Sequence, residues 1–119
     1  MKVLVVDDSR AMRAIVHRTL RQAGFQNLEV VEAANGKEGL DRVKEEGPEL
    51  IISDWNMPEM TGIEFLAALR GDGDETPFGF VTSLGTPAMQ QEAASAGASF
   101  FITKPFRPET FETVLGAYL

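Results

Sequence analysis

The sequence predicts a doubly wound α/β domain, in which helices cover both faces of a parallel sheet. Short apolar and β-branched runs alternate five times along the chain with amphipathic stretches of helical periodicity. The strand-like runs are apolar almost throughout, which is typical of parallel strands buried on both faces. Right-handed crossovers between them give three layers. The chain has 119 residues, and we expect residues 1–119 to form a single domain.

The first unit of the pattern begins at the second residue. Lys2–Val6 is a predicted strand because its residues after the lysine are β-branched or otherwise apolar. Arg10–Ala23 follows as a predicted helix, because apolar residues recur at helical spacing and Gly24 marks its end. Leu28–Glu32 is the second predicted strand.

The middle of the chain repeats this order of elements. Gly36–Glu46 is predicted to be a helix that ends at the Gly-Pro pair directly after it. Leu50–Ser53 is a short apolar run, which predicts a buried third strand. Gly62–Arg70 is the third predicted helix, with apolar residues three positions apart.

The last third of the chain adds two strands and two helices. Phe78–Thr82 is the fourth predicted strand, although a glycine weakens it. We expect the fourth helix, Ala88–Ala96, to start late after a mobile loop, because Gly85–Pro87 precedes it. Phe100–Thr103 is the fifth strand, and Glu109–Tyr118 is a final helix with a proline at its first turn.

Composition excludes several classes of function. Without cysteine there is no disulfide, thiolate nucleophile or cysteine zinc site, and a single histidine disfavours a Ser-His-Asp triad. The formal net charge of −7 disfavours sequence-independent nucleic-acid binding. No apolar run has the length of a membrane helix, and the apolar start lacks a signal-peptide cleavage site. We therefore expect a cytoplasmic protein that binds neither nucleic acid nor membrane.

Polar side chains occur where four of the five predicted strands end, and these ends share one edge of a parallel sheet. Asp7 and Asp8 follow the first strand, Asp54 the third and Lys104 the fifth, while Thr82 ends the fourth. Three carboxylates brought together repel one another, and Mg²⁺ or Mn²⁺ would relieve that repulsion. A metal, an ammonium group and a hydroxyl can together bind a transferring phosphoryl group. Asp54, at the centre, is the candidate acceptor.

Taken in order, these residues resemble those of response-regulator receiver domains, most closely CheY-type chemotaxis receivers. The resemblance runs from end to end of the chain. It implies a flavodoxin-like sheet of five parallel strands in the order 2-1-3-4-5 with five helices. The segments that carry it are Leu4–Asp8, Ile52–Pro58, Thr61–Gly62, Val81–Thr82, Gly97–Ala98 and Lys104–Phe106.

The resemblance also implies a role for each residue of the acidic site. Asp54 would accept a phosphoryl group from the phosphohistidine of a histidine kinase. Lys104 would pair with Asp54 and later with the phosphoryl oxygens. Asp8, Asp54 and the carbonyl group of Asn56 would bind the cation directly, while Asp7 would act through a water molecule. On this reading the domain is not an enzyme beyond its own phosphorylation and dephosphorylation.

Further residues would carry the signal to the surface, again as the resemblance implies. Thr82 would move toward the phosphoryl group, and Phe101, where the family usually has tyrosine, would turn inward to fill the space it leaves. The surface of the fourth helix, fifth strand and fifth helix would then bind a downstream target protein. The peptide bond between Lys104 and Pro105 is implied to be cis.

Three other features lead to hypotheses about modulation and docking. Leu84, two residues after Thr82, is apolar and cannot orient an attacking water molecule, so we expect it to influence the lifetime of the aspartyl phosphate. Trp55 is expected to pack beside the site and report on it. The first helix carries four arginines and no acid, which we expect to dock a kinase or phosphotransfer protein. These arginines are Arg10, Arg13, Arg18 and Arg21.

Other interpretations stay open at this point. Asp7 and Asp8 could serve only to cap the first helix. Capping by Asp8 or Ser9 is expected even if the acidic pair also binds a cation. A receiver-like scaffold that is never phosphorylated would carry the same pattern. An aspartyl-phosphate hydrolase is disfavoured, because such enzymes use an Asp-x-Asp motif whereas the two acidic residues here are adjacent. The chain is also too short for the cap domain of those enzymes. A flavin-binding domain is disfavoured because two aspartates would repel the cofactor phosphate.

Overall fold

The computed structural model describes all 119 residues and contains one parallel sheet with five strands and five helices. The strand order 2-1-3-4-5 confirms the predicted topology. The strands are β1 (Lys2–Val6), β2 (Glu29–Ala33), β3 (Leu50–Ser53), β4 (Phe78–Thr82) and β5 (Phe100–Thr103). The helices are α1 (Arg10–Gln22), α2 (Gly36–Glu46), α3 (Gly62–Gly71), α4 (Pro87–Ala96) and α5 (Pro108–Leu115). No helix has the length and apolar character that a membrane span requires.

Several element boundaries differ from the predicted ones. Strand β2 begins one residue later than expected and includes Ala33, which is buried and lies opposite Val6 of β1. Helix α1 ends one residue earlier than predicted, and α3 ends one residue later. Helix α5 ends at Leu115 and not at Tyr118. The Tyr118 hydroxyl instead donates a hydrogen bond to the carbonyl oxygen of Ser99 at 3.2 Å.

Helix α4 begins one residue earlier than predicted. The helix begins at Pro87, because Thr86 acts as its N-cap and its hydroxyl accepts a hydrogen bond from the Met89 amide at 3.1 Å. A threonine cap followed by proline at the first helical position is a favourable helix start. The local sequence therefore stabilises this end of α4.

The sheet separates two apolar cores. Successive side chains of a strand point to opposite faces, so Val3 and Val5 belong to one core while Leu4 and Val6 belong to the other. Helices α1 and α5 cover the first core, and α2, α3 and α4 cover the second. Both faces of β1 and β3 are consequently buried.

Backbone hydrogen bonds extend the ladder by one residue beyond the strand ends. The Asp54 amide donates to the Val6 carbonyl at 2.9 Å, and the Asp7 amide donates to the Ala33 carbonyl at 3.1 Å. The Lys104 amide donates to the Thr82 carbonyl at 2.8 Å. Asp7, Asp54 and Lys104 are thereby held at the same edge of the sheet by backbone geometry.

Helix α3 starts in close contact with the chain that carries Asp54. Thr61 is the N-cap, and it forms a reciprocal capping box with Glu64, whose pKa is lowered by the hydrogen bonds it accepts from Thr61. The next residue, Gly62, donates its amide to the Trp55 carbonyl at 2.8 Å. A Cβ atom at Gly62 would collide with the Asp54 carbonyl oxygen and would lie 2.8 Å from the Phe80 ring.

We expect Gly62→Ala to lower the free energy of unfolding by about 1–3 kcal/mol, the usual cost of overpacking. Gly71→Ala is the matched control, because it lies in the same helix and a Cβ atom there meets nothing within 4 Å. Urea denaturation of both variants measures the difference. Equal free energies of unfolding would show that α3 can shift away from Asp54 without cost.

Candidate functional site

Three carboxylates meet at the carboxyl edge of the sheet. One oxygen from each of Asp7, Asp8 and Asp54 lies within 4.8 Å of the other two. Asp7 is buried, Asp54 is half-buried and Asp8 is exposed, so the cluster has a closed side and a side open to solvent. The structure therefore brings together the three acidic residues that the sequence singled out.

One positive charge faces this cluster. The Lys104 ammonium lies 3.4 Å from Asp7 Oδ2 and 3.9 Å from Asp54 Oδ1. Burial and the neighbouring charge of Asp7 raise the pKa of Asp54, and the opposing effects of Lys104 and of a hydrogen bond from the Trp55 amide do not cancel them. Negative charge thus remains in excess at the site.

The donor set fits a hard divalent cation. Carboxylate oxygens are the ligands that Mg²⁺ and Mn²⁺ prefer, and Mg²⁺ sites in proteins keep room for water and phosphate oxygens. The exposed side at Asp8 leaves that room. Asn56, whose carbonyl group is a predicted ligand, is exposed in the loop that follows β3. Receiver domains bind Mg²⁺ at an acidic pocket of this kind.

The β1–α1 loop is fixed by hydrogen bonds to every polar group of Asp7. Its carboxylate accepts from the Ser9 amide at 2.8 Å and from Lys104, and its carbonyl oxygen accepts from Arg13 Nη1 at 2.6 Å. Ser9 caps α1, since its hydroxyl accepts from the Met12 amide at 3.1 Å. The carboxylates of Asp7 and Asp8 are therefore not needed to cap the helix.

Thr82, which ends β4, and Leu84, two residues later, form no hydrogen bond with Asp54. The Thr82 side chain is buried, and its hydroxyl accepts a long hydrogen bond of 3.5 Å from the Leu84 amide. The Leu84 side chain is 54% exposed, unusual for a large apolar residue in this chain. The bond between Lys104 and Pro105 is cis.

An aromatic group connects the site to the surface. Trp55 is buried, its amide donates to Asp54 Oδ1 at 2.8 Å, and its ring centroid lies 4.8 Å from that of Phe80. The half-buried ring of Phe101 lies 6.2 Å from the Trp55 ring and 6.0 Å from the Phe80 ring. Trp55 therefore connects Phe101 on β5 with the Asp54 carboxylate, through its ring on one side and its amide on the other.

The prediction that all four arginines of α1 are available for docking does not hold for Arg13. Its side chain is 15% exposed, and its Nε atom lies 2.7 Å from Glu32 Oε1 while Nη1 binds the Asp7 carbonyl. Glu32 was not predicted to belong to the site, and Gly62 was predicted only as part of a segment that resembles the family, with no role of its own. For α3, the Thr-x-x-Glu spacing of residues 61–64 is a readable signal of the helix start.

Comparison with known proteins agrees with this geometry. The chain matches the family model described as response regulator receiver domain over residues 3–115. It is 42% identical over 123 aligned residues to a chemotaxis protein CheY homolog of Campylobacter jejuni, covering 98% of this chain and 93% of the relative. The structure of chemotaxis protein CheY4 of Vibrio cholerae is similar, with a TM-score of 0.86, 42% identity, and coverage of 99% and 98%. The receiver domain of the Francisella response regulator 1452 gives a TM-score of 0.85 at 26% identity, covering 98% and 94%.

We expect Asp54→Asn to increase the free energy of unfolding at pH 7 in the presence of EDTA. A carboxyl whose pKa is raised on folding is less stable as an anion in the folded state than in the unfolded state, so its ionised form destabilises the fold. Urea denaturation measures the effect. Asp41→Asn, an equal charge change at an exposed position of α2, is the control and should have little effect. A destabilised Asp54→Asn variant would contradict the repulsion inferred for the site.

Proposed function

The chain belongs to the response regulator receiver domain family and is of the CheY type, and from this premise we propose that Asp54 is its phosphorylation switch in chemotaxis signalling. The observation that carries the proposal is the cluster of Asp7, Asp8 and Asp54 facing the ammonium group of Lys104. Proteins of this type act in phosphorelay signalling and interact with histidine kinases and with downstream targets.

Asp54 supplies the attacking carboxylate oxygen. In the transfer the oxygen–phosphorus bond forms as the phosphorus–nitrogen bond of a phosphohistidine breaks, and the histidine ring nitrogen keeps the electron pair. The Lys104 ammonium lies 3.9 Å from Asp54 Oδ1, close enough to form an ion pair with the phosphoryl oxygens once the phosphoryl group is attached. Besides this transfer the domain would catalyse only the later hydrolysis, in which water attacks the phosphorus atom, the Asp54 oxygen–phosphorus bond breaks, and inorganic phosphate leaves with the Asp54 carboxylate restored; no other substrate is proposed.

Asp8, Asp54 and the carbonyl oxygen of Asn56 would hold Mg²⁺, or Mn²⁺, with Asp7 acting through a water molecule. The cation, when bound, neutralises charge on the carboxylates and on the phosphoryl oxygens. Asp7 is suited to an outer position because both of its oxygens already accept hydrogen bonds, from Ser9 and from Lys104. The exposure of Asp8 suits a direct ligand that water can reach.

Thr82 and Phe101 form the proposed path from Asp54 to the surface. The long hydrogen bond at the Thr82 hydroxyl is easily given up, so this group can turn toward a phosphoryl oxygen. Phe101 would then move inward against Trp55 and Phe80, which it already faces. This movement would change the surface of α4, β5 and α5, where a downstream target protein would bind.

The phosphodonor would dock on α1 and the loops around the site. An open cleft of about 440 Å³ lies beside Lys104, and Met12, Ile15 and Phe106 give it an apolar lining. The arginines that carry no ion pair lie on the same helix and would complement an acidic partner. They are Arg10, Arg18 and Arg21.

Two alternatives make different predictions about this chemistry. A receiver-like scaffold that works without phosphorylation would retain the fold but would not accept a phosphoryl group on Asp54. An aspartyl-phosphate hydrolase would turn over an external phosphate ester. Every polar group of Asp7 forms a hydrogen bond, and the Lys104 ammonium faces Asp54. This set of polar contacts around the acceptor favours the phosphorylation switch over the scaffold.

We expect incubation with acetyl phosphate and Mg²⁺ to add one phosphoryl group to the intact protein. Mass spectrometry of the whole chain measures the addition. Asp54→Asn and a reaction in EDTA are the controls, and both should remain unmodified because one lacks the nucleophile and the other the cation. An unmodified wild-type protein under all conditions, with a histidine kinase also tried as donor, would favour the scaffold. Continuous release of phosphate from an added ester would favour the hydrolase.

We expect Leu84→Glu to shorten the lifetime of the aspartyl phosphate. A carboxylate at this exposed position can orient and polarise the attacking water, which the native apolar side chain cannot do. Loss of phosphoryl mass with time, after the donor has been removed, gives the rate. Leu84→Ala is the control that removes bulk without adding a polar group. If the Glu and Ala variants lose phosphate at the same rate, this side chain does not act on the water.

A further inference from the structure

We propose that Arg13 is a positioning residue for the cation site and acts through the peptide bond between Asp7 and Asp8. This role rests on the proposed function. The Arg13 guanidinium makes two contacts at once, donating from Nη1 to the Asp7 carbonyl oxygen at 2.6 Å and from Nε to Glu32 Oε1 at 2.7 Å. The arginine therefore connects the backbone of the β1–α1 loop to strand β2.

The Asp7 carbonyl group determines where the Asp8 side chain begins. A peptide bond is planar, so fixing the direction of the Asp7 carbonyl also fixes the Asp8 amide and Cα atoms. Asp7 is held by its amide, its carbonyl oxygen and both carboxylate oxygens. Asp8 is exposed and takes part in none of the ion pairs. Its placement therefore depends on the peptide plane that Arg13 holds.

Glu32 fixes the arginine itself. The Arg13 side chain is 15% exposed and Glu32 is 48% exposed, so the pair is partly shielded from solvent on the arginine side. A guanidinium has several donors in a rigid plane and can bond the carbonyl and the carboxylate together. A lysine ammonium has a similar charge but is a compact point donor, and it cannot reproduce this planar bridge.

An electrostatic role for Arg13 predicts the opposite result from a positioning role. A cation close to the site repels Mg²⁺, so removing its charge would strengthen metal binding if charge were the only effect. If Arg13 holds Asp8 in place, removing it weakens binding in spite of the relieved repulsion. The sign of the change in affinity separates the two roles.

The test is Mg²⁺ titration of the full chain followed by Trp55 fluorescence, with urea denaturation in EDTA to show that each variant is folded. We expect Arg13→Gln to raise the dissociation constant about 10-fold, at the lower end of the usual effect of losing a residue that orients a metal ligand. Arg13→Lys should also weaken binding, although it keeps the charge. Arg42→Gln is the matched control, since Arg42 lines the same cleft between α1 and α2 without an ion pair.

Unchanged or tighter binding by Arg13→Gln, or wild-type binding by Arg13→Lys, would overturn the positioning role and leave the proposed function intact. If Arg13→Gln does not fold, the Arg13→Lys result decides alone. A wild-type protein that does not respond to Mg²⁺ would instead contradict the cation assignment, and the role of Arg13 with it. A similar loss of affinity in Arg42→Gln would also overturn the positioning role, because Arg42 makes no contact with Asp7 and the loss could then not be assigned to the bond from Arg13.

Discussion

Electrostatic repulsion among three carboxylates at one sheet edge is the constraint on which the site depends. The parallel register forces this proximity, because Asp54 and Asp7 each extend a ladder of β1 by one hydrogen bond. Lys104 compensates for only part of the negative charge, and the pKa of Asp54 remains raised. Hydrogen bonds hold the carboxylates of Asp7 and Asp54 in place against this repulsion. Such an electronegative cluster could hold a divalent cation.

The same close packing connects the site with distant surfaces. Gly62 allows α3 to approach the Asp54 carbonyl group, so the chain after β3 has little freedom to move away. Trp55 continues this segment into the apolar core, where its ring meets Phe80 and Phe101. On the other side, Arg13 joins the β1–α1 loop to β2. These contacts restrain the backbone around Asp54, while the Thr82 hydroxyl accepts only one long hydrogen bond.

Much of this arrangement could be predicted from sequence, because its signals are local. The apolar runs gave β1, β3, β4 and β5 with their observed bounds, and polar residues at strand ends pointed to Asp7, Asp8, Asp54 and Lys104. The start of α4 was predicted too late because the Thr86 cap was not weighed against Gly85. The contacts of Arg13 could not be predicted, since they depend on the distance between α1 and β2 in the folded chain. The Gly62 contact likewise exists only after α3 has packed against the strand end.

The measurement that tests the central claim most directly is anomalous diffraction from crystals grown with Mn²⁺. The ion scatters anomalously and shares the preference of Mg²⁺ for oxygen ligands. We expect one strong peak between the carboxylates of Asp8 and Asp54, near the Asn56 carbonyl, and no such peak in crystals of Asp54→Asn. A fully occupied ion elsewhere, or no ion among the three carboxylates at saturating Mn²⁺, would contradict the view that their repulsion is balanced by a bound cation.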